Sequence, residues 1–163
     1  MSEDVTVETR IDRSRDEVAR VAMNPENDLE WIRALSSVRT LTEGPFGKGS
    51  QVERVASFLG KRIEYVNEVV EYEPPVRLVM RSVKAPFPMR VTYEFDEIPT
   101  GTLARIRAEG DAHGFYKLAE RVLGGMVKRG IERDLAALKE LLESGGETAR
   151  PAAGGEASRA GTE

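Results

Sequence analysis

Apolar and polar residues alternate through VTVETRI, with Val5, Val7 and Ile11 on one side, which predicts a half-buried first strand. The period then changes. Ser14 followed by Glu17 is a capping-box pattern, after which Val18, Val21 and Ala22 share one helical face until Asn24-Pro25 interrupts it. Pro25 can open a second short helix that carries Leu29, Trp31 and Ile32. Strand patterns recur from there on: ALSSVRTLT, SQVERVASFL, RIEYVNEVVEY, VRLVMRSV, MRVTYEFDEI and TLARIRAEGDA, separated by Gly and Pro punctuation. Within VVEYEPPVRLVM, Pro74-Pro75 suits neither a helix interior nor a central strand, so it marks a scaffold corner between two antiparallel strands.

Two hairpins allow faces to be assigned. A turn at Gly60-Lys61 pairs Phe58 with Ile63, Ala56 with Tyr65, Arg54 with Asn67 and Val52 with Val69. The inner face is then apolar except for Arg54, Tyr65 and Asn67. A loop over residues 98 to 101 pairs Phe95 with Ala104, Tyr93 with Ile106, Val91 with Ala108 and Met89 with Gly110. Arg90, Thr92, Glu94, Arg105, Arg107 and Glu109 take the outer face, the one-sided burial expected of an antiparallel sheet. The inner column of the last strand is small, at Ala104, Ala108 and Gly110, which leaves room for a close helix or a ligand.

GFYKLAERVLGGMVKRGIERDLAALKELLES predicts one final helix of about thirty residues, roughly 40 Å long. Ala119, Leu123, Val127, Ile131, Leu135, Leu138 and Leu142 form its apolar stripe. Gly124, Gly125 and Gly130 weaken it by about 1 kcal/mol each relative to alanine. Close packing on the sheet, a bend, or a helix that flexes to admit a ligand would each account for them.

Composition narrows the function classes. The 163 residues suit one domain, and a net charge of −4 with dispersed basic residues gives no nucleic-acid footprint. The absence of cysteine excludes disulfides and thiolate chemistry, and a single histidine, His113, excludes a multi-histidine metal site. No G-x-S-x-G elbow is present, and PFGKGS lacks the spacing of a phosphate loop. MSEDVTVETRID has no leader character, so a cytoplasmic protein without stable membrane insertion is expected, as a monomer or homodimer. From Ser144 the chain reads SGGETARPAAGGEASRAGTE, which predicts a disordered tail over residues 144–163 after a single domain at residues 1–143.

A strand, two short helices, a long antiparallel run and one terminal helix make an α+β helix-grip arrangement. The stretches IDRSRDEVARVAMNPENDLEWI, VNEVVEYEPPVRLVM and YEFDEIPTGTLARIRAEGD, together with the final helix, resemble the SRPBCC superfamily over about residues 4 to 143. That superfamily groups START lipid-transfer domains, the birch-pollen-allergen family and the polyketide cyclase/dehydrase proteins. The resemblance implies a curved antiparallel sheet of about seven strands wrapped around a long C-terminal helix, with two short helices after strand 1. It also implies a cavity for an apolar or amphipathic molecule between sheet and helix. The shared motifs are structural rather than catalytic, so the fold follows more directly than the activity.

The candidate ligand-binding residues follow from the faces. Arg54 is the most informative, because a buried guanidinium needs a carboxylate, carbonyls, water or an anionic ligand group. At the cavity rim it would instead snorkel to solvent or pair with a nearby Glu. Tyr65, Asn67 and Tyr93 share its face, and Ser82 could join them; both tyrosines also suit ordinary core packing. Trp31 stands beside the expected cavity mouth as ligand contact or packing. Met80, Met89 and Met126 offer an adaptable wall or plain core filling, and Ala108 leaves space. His113 reads as a surface or capping residue. No catalytic residue, metal or cofactor is assigned. Binding of a lipid, isoprenoid or polyketide-like molecule is the leading reading. The alternatives are a polyketide cyclase/dehydratase-like enzyme using the same cavity, with Arg54, Asn67 and a tyrosine stabilising an enolate, and a protein-interaction module with a filled cavity.

Overall fold

The computed structural model describes residues 2–145. After β1 (Glu3–Ile11), the capping box forms as expected: the Ser14 hydroxyl accepts the Glu17 amide at 3.2 Å, and the Glu17 carboxylate accepts the Ser14 amide at 3.2 Å. This starts α1 (Arg15–Ala22), which buries Val18, Val21 and Ala22. Asn24 then accepts the Glu26 amide at 3.1 Å and opens a 3-10 helix at Pro25–Glu30. Of the residues expected on that second helix, Leu29 faces solvent, whereas Trp31 is 1% exposed.

Seven strands follow the order β1-β7-β6-β5-β4-β3-β2, every neighbouring pair antiparallel. The later six are β2 (Leu35–Thr40), β3 (Gln51–Phe58), β4 (Lys61–Glu73), β5 (Arg77–Lys84), β6 (Met89–Ile98) and β7 (Gly101–Gly110). They form a curled half-barrel. Pro74-Pro75, joined by a cis peptide, occupies the corner between β4 and β5. The β6-β7 register is the expected one, with Phe95 opposite Ala104 and Tyr93 opposite Ile106. Gly101 fixes its base: at φ +142° a Cβ there would come within 2.3 Å of the Ile11 carbonyl oxygen, so only glycine fits.

The β3-β4 register differs by two residues from the sequence expectation. Arg54 faces Tyr65 rather than Asn67, and Asn67 faces Val52. The turn is Leu59-Gly60, with φ of 51° and 82°, the paired positive values of a type I′ turn. Because the shift is even, each residue keeps its face.

The final helix is also divided. α2 (His113–Tyr116) ends at Lys117, which takes a left-handed φ of 58°, and α3 (Glu120–Glu143) begins afterwards. In a continuous helix the Phe115 carbonyl would accept the Ala119 amide. Here it accepts Lys61 Nζ at 2.7 Å, and that ammonium lies 4.4 Å above the Phe115 ring. α3 alone is roughly 36 Å long.

α3 crosses the concave face and is buried at its two ends. Toward its C-terminus, Leu135, Leu138 and Leu142 pack into the main core with Val7, Ile11 and Phe95. Toward its N-terminus, Leu123 joins a smaller core with Ile63, Ala112 and Tyr116. Full burial of each leucine stabilises the fold by about 1.5–3 kcal/mol. Between the two cores Val127 and Ile131 are only half-buried, and there the interior opens. Ser144 and Gly145 finish the helix; the rest of the expected disordered tail lies outside the described residues. Among the described residues no helix is long and apolar enough to cross a membrane.

Candidate functional site

Two neighbouring spaces lie beneath α3. An inner chamber of about 190 Å³ is bounded by β3 to β7, the 3-10 helix and α3. An outer groove of about 510 Å³ runs toward the β3-β4 turn and α2, walled by apolar groups such as Phe58, Ile63, Phe87 and Leu123. Tyr65, Val127, Ile131 and Asp134 line both and therefore stand where the spaces meet. A third hollow, about 580 Å³, lies on the outer face of the sheet over Arg77, Arg105 and Arg107. Those arginines are tied to Glu71, Glu94, Glu8, Asp96 and Asp4, so that surface is a self-satisfied ion-pair lattice. The concave side is the better candidate.

Most of the residues singled out from the sequence meet in the inner chamber: Trp31, Arg54, Tyr65 and Asn67, with Met80, Tyr93 and Ala108. Met89 lines the outer groove instead. Met126 lines neither space, since the helix face turned inward carries Leu123, Val127, Ile131 and Asp134 at three- and four-residue spacing. Ser82 is engaged elsewhere, accepting the Met89 amide at 3.0 Å. Of the small column on β7, Ala104 is sealed in the main core and only Ala108 borders the chamber.

Arg54 does not reach solvent; it is 5% exposed. Its partner is Asp28, on the 3-10 helix, with Nε and Nη2 at 2.9 and 2.8 Å from the same carboxylate oxygen. Nη1 meets the Met80 sulfur at 3.8 Å. Burial, the largest single influence, would lower the guanidinium pKa, but the Asp28 charge and hydrogen bond together with Tyr65 and Tyr93 outweigh it and hold Arg54 above its ordinary value. Burial pushes Asp28 upward while Arg54 draws it down. Because a guanidinium does not give up its proton in proteins, the pair is ionic. Of the partners expected for a buried Arg54, the structure supplies a carboxylate, that of Asp28.

Two buried polar atoms on residues of this region have no partner among the described residues: Trp31 Nε1, a donor, and Asn67 Oδ1, an acceptor. Tyr93 packs against Trp31 with ring centroids 5.9 Å apart. Burial pushes the hydroxyl pKa of Tyr65 and of Tyr93 upward, so both remain protonated at neutral pH.

Sequence reasoning missed Asp28 and Asp134. Asp134 accepts the Arg33 amide at 2.9 Å, and burial raises its pKa to about 6 against an opposing pull from that bond and from Arg133 and Arg33. A signal for Asp134 was present: it falls on the Val127, Ile131, Leu138 stripe, where an acid is out of place. His113, expected at the surface or as a cap, has a side chain 43% exposed, with Nδ1 at 3.4 Å from the buried Glu3 carboxylate, and lines neither space.

The sequence model for the family described as polyketide cyclase / dehydrase and lipid transport matches residues 2–143. No curated protein matches the chain. Among solved structures, a protein from Thermus thermophilus is 18% identical with a TM-score of 0.73, covering 86% of this chain and 97% of that one. A START superfamily protein from Mycobacterium smegmatis is 12% identical, also with a TM-score of 0.73 and the same coverage of 86% and 97%. A Mesorhizobium loti protein is 21% identical with a TM-score of 0.65, covering 88% and 98%. At these identities the likeness is one of fold.

Proposed function

Because the chain belongs to the polyketide cyclase/dehydrase and lipid transport family, we propose that it binds an apolar or amphipathic small molecule beneath α3. The observation that carries this reading is the gap between the two cores: an inner chamber of about 190 Å³ beside a largely apolar groove of about 510 Å³. Its walls combine aliphatic and aromatic groups with a few convergent polar ones, the composition of a small-molecule site. The Ala108→Phe variant tests the reading, because its ring would enter the inner chamber. Wild type should bind the neutral probe N-phenyl-1-naphthylamine, and Ala108→Phe should weaken that binding by at least about tenfold with its thermal transition preserved. Undiminished binding would remove the chamber from the proposal.

One observation favours a second reading, cyclisation or dehydration of a polyketide-like substrate in the same space. Asp134, with a pKa of about 6, stands where the two spaces meet and can hold or release a proton near neutrality. Two protonated tyrosines and the Arg54 guanidinium could then orient a carbonyl-bearing chain. Turnover of a poly-β-ketone analogue that disappears in Asp134→Asn would favour this reading over simple binding.

A further inference from the structure

The outer groove joins an apolar wall to two cations that the protein leaves uncompensated. Phe58, Ile63, Phe87 and Leu123 belong to the wall, and Arg33 and Arg133 line the same groove. One contact ties the two arginines together: the Arg33 amide donates to Asp134 Oδ1 at 2.9 Å, and Arg133 immediately precedes Asp134 on α3. Both guanidinium charges stand near enough to that carboxyl to draw its pKa downward. Arg77, Arg105 and Arg107 on the outer face of the sheet are each tied to carboxylates. Arg33 and Arg133 are exposed and form no ion pair among the described residues.

Charge selects the head of a ligand lying there. Apart from tyrosines, the ionisable side chains lining the two spaces are Arg33, Arg54, Arg133 and Asp134. Asp28 neutralises Arg54. Two cations then stand against one carboxylate, and Asp134 itself takes up a proton near pH 6. An ammonium head would meet two like charges and one opposite; a carboxylate meets the reverse. Because both arginines are exposed, a carboxylate between them stays at the solvated rim and escapes the cost of full burial. The planar guanidinium fork also matches a carboxylate with two parallel N–H groups. Below the rim, about 510 Å³ lies within the ordinary range of small-molecule sites, about 300–1,000 Å³.

Resting on the ligand-binding reading above, we propose that the outer groove takes an amphipathic carboxylate, its head held at the rim by Arg33 and Arg133 and its apolar tail laid along Phe58, Ile63, Phe87 and Leu123. The arginines choose the sign of the head. The wall holds the tail by burial, whatever the head.

Decanoate, decan-1-ol and decylammonium share one tail and differ in the charge of the head. In calorimetric titrations at neutral pH and low salt, decanoate should bind at least about fivefold more tightly than either of the others. In the variant combining Arg33→Gln and Arg133→Gln, decanoate should fall to the affinity of decan-1-ol, which itself stays within about threefold of its wild-type value. Should that variant fail to fold, Arg133→Gln alone should lower decanoate affinity by about twofold or more and leave decan-1-ol unchanged. Equal affinity for decanoate and decan-1-ol in the wild type, or a decanoate preference that survives the substitutions, would overturn the proposal and leave the apolar groove standing. Tightest binding of decylammonium would overturn it in favour of a cationic head drawn to Asp134. Saturable binding of none of the three would overturn both the head-group proposal and the cavity reading beneath it.

Discussion

Arg54 and Asp28 meet at 2.8 Å with side chains 6% and 2% exposed, joining the middle of β3 to the 3-10 helix beneath the inner chamber. Two charges have been taken out of water together, at a desolvation cost that their attraction offsets only while both are present. The pair also fixes the 3-10 helix that ends at Trp31, so a chamber wall hangs on it.

Removing one partner should therefore be far worse than removing both. Asp28→Ala leaves an unpaired guanidinium and should cost about 3–5 kcal/mol. The combined Asp28→Leu and Arg54→Met variant should fall within about 2 kcal/mol of wild type. Urea unfolding of wild type, Asp28→Leu, Arg54→Met and their combination gives the coupling directly, with Asp28→Ala measured beside them. A double variant as unstable as Asp28→Ala would show that the pair does more than cancel its own charges.

Asp134 gives stability a pH dependence of definite sign. Its carboxyl is raised from 3.8 to about 6 in the folded protein, so between those values the native state holds the proton more firmly than the unfolded chain. Its contribution is most favourable below pH 4 and declines as the pH rises through about 6. Asp134→Asn keeps an acceptor for the Arg33 amide and abolishes that decline, so the variant should gain up to about 3 kcal/mol on wild type at pH 7.5 and little at pH 4. Thermal melts across this range measure the difference; parallel curves would count against a buried, titrating Asp134.

The glycines of α3 allow a third test. A Cβ on Gly124 or Gly125 would meet nothing within 4 Å, and on Gly130 only the Phe58 ring at 3.8 Å. Close packing therefore does not explain the first two. Gly124→Ala and Gly125→Ala should each stabilise the protein by up to about 1 kcal/mol through helix propensity alone. If this half of α3 must loosen for a ligand to reach the groove, the double variant will also bind and release the neutral probe more slowly in stopped-flow traces, at nearly unchanged affinity.

Local pattern revealed most of the architecture, because one-sided burial and proline or glycine punctuation write themselves into sequence. The pairing of Phe95 with Ala104 was readable since Pro99 and Gly101 bound a short turn. The pairing of Arg54 with Tyr65 was not, because Leu59, hardly a turn residue, adopts a positive φ and moves the turn back by one position. An even slip preserved the faces, so Arg54, Tyr65 and Asn67 still met in one chamber. The break at Lys117 depends on Lys61, which takes the Phe115 carbonyl from far along the chain, and nothing near residue 117 announces it. Asp28 escaped notice similarly: an acid in the first turn of a short helix reads as a favourable surface charge, and its arginine lies 26 residues away.

The two ends of α3 are anchored in separate cores, while its middle, half-buried at Val127 and Ile131, borders the space between them. A plank resting on two supports can be replaned between them. Val127, Ile131 and Asp134 belong to that span, so exchanging them reshapes the space beneath the helix while the fold's main anchorage stays with Leu123, Leu135, Leu138 and Leu142. One scaffold can thereby offer differently shaped interiors through single substitutions.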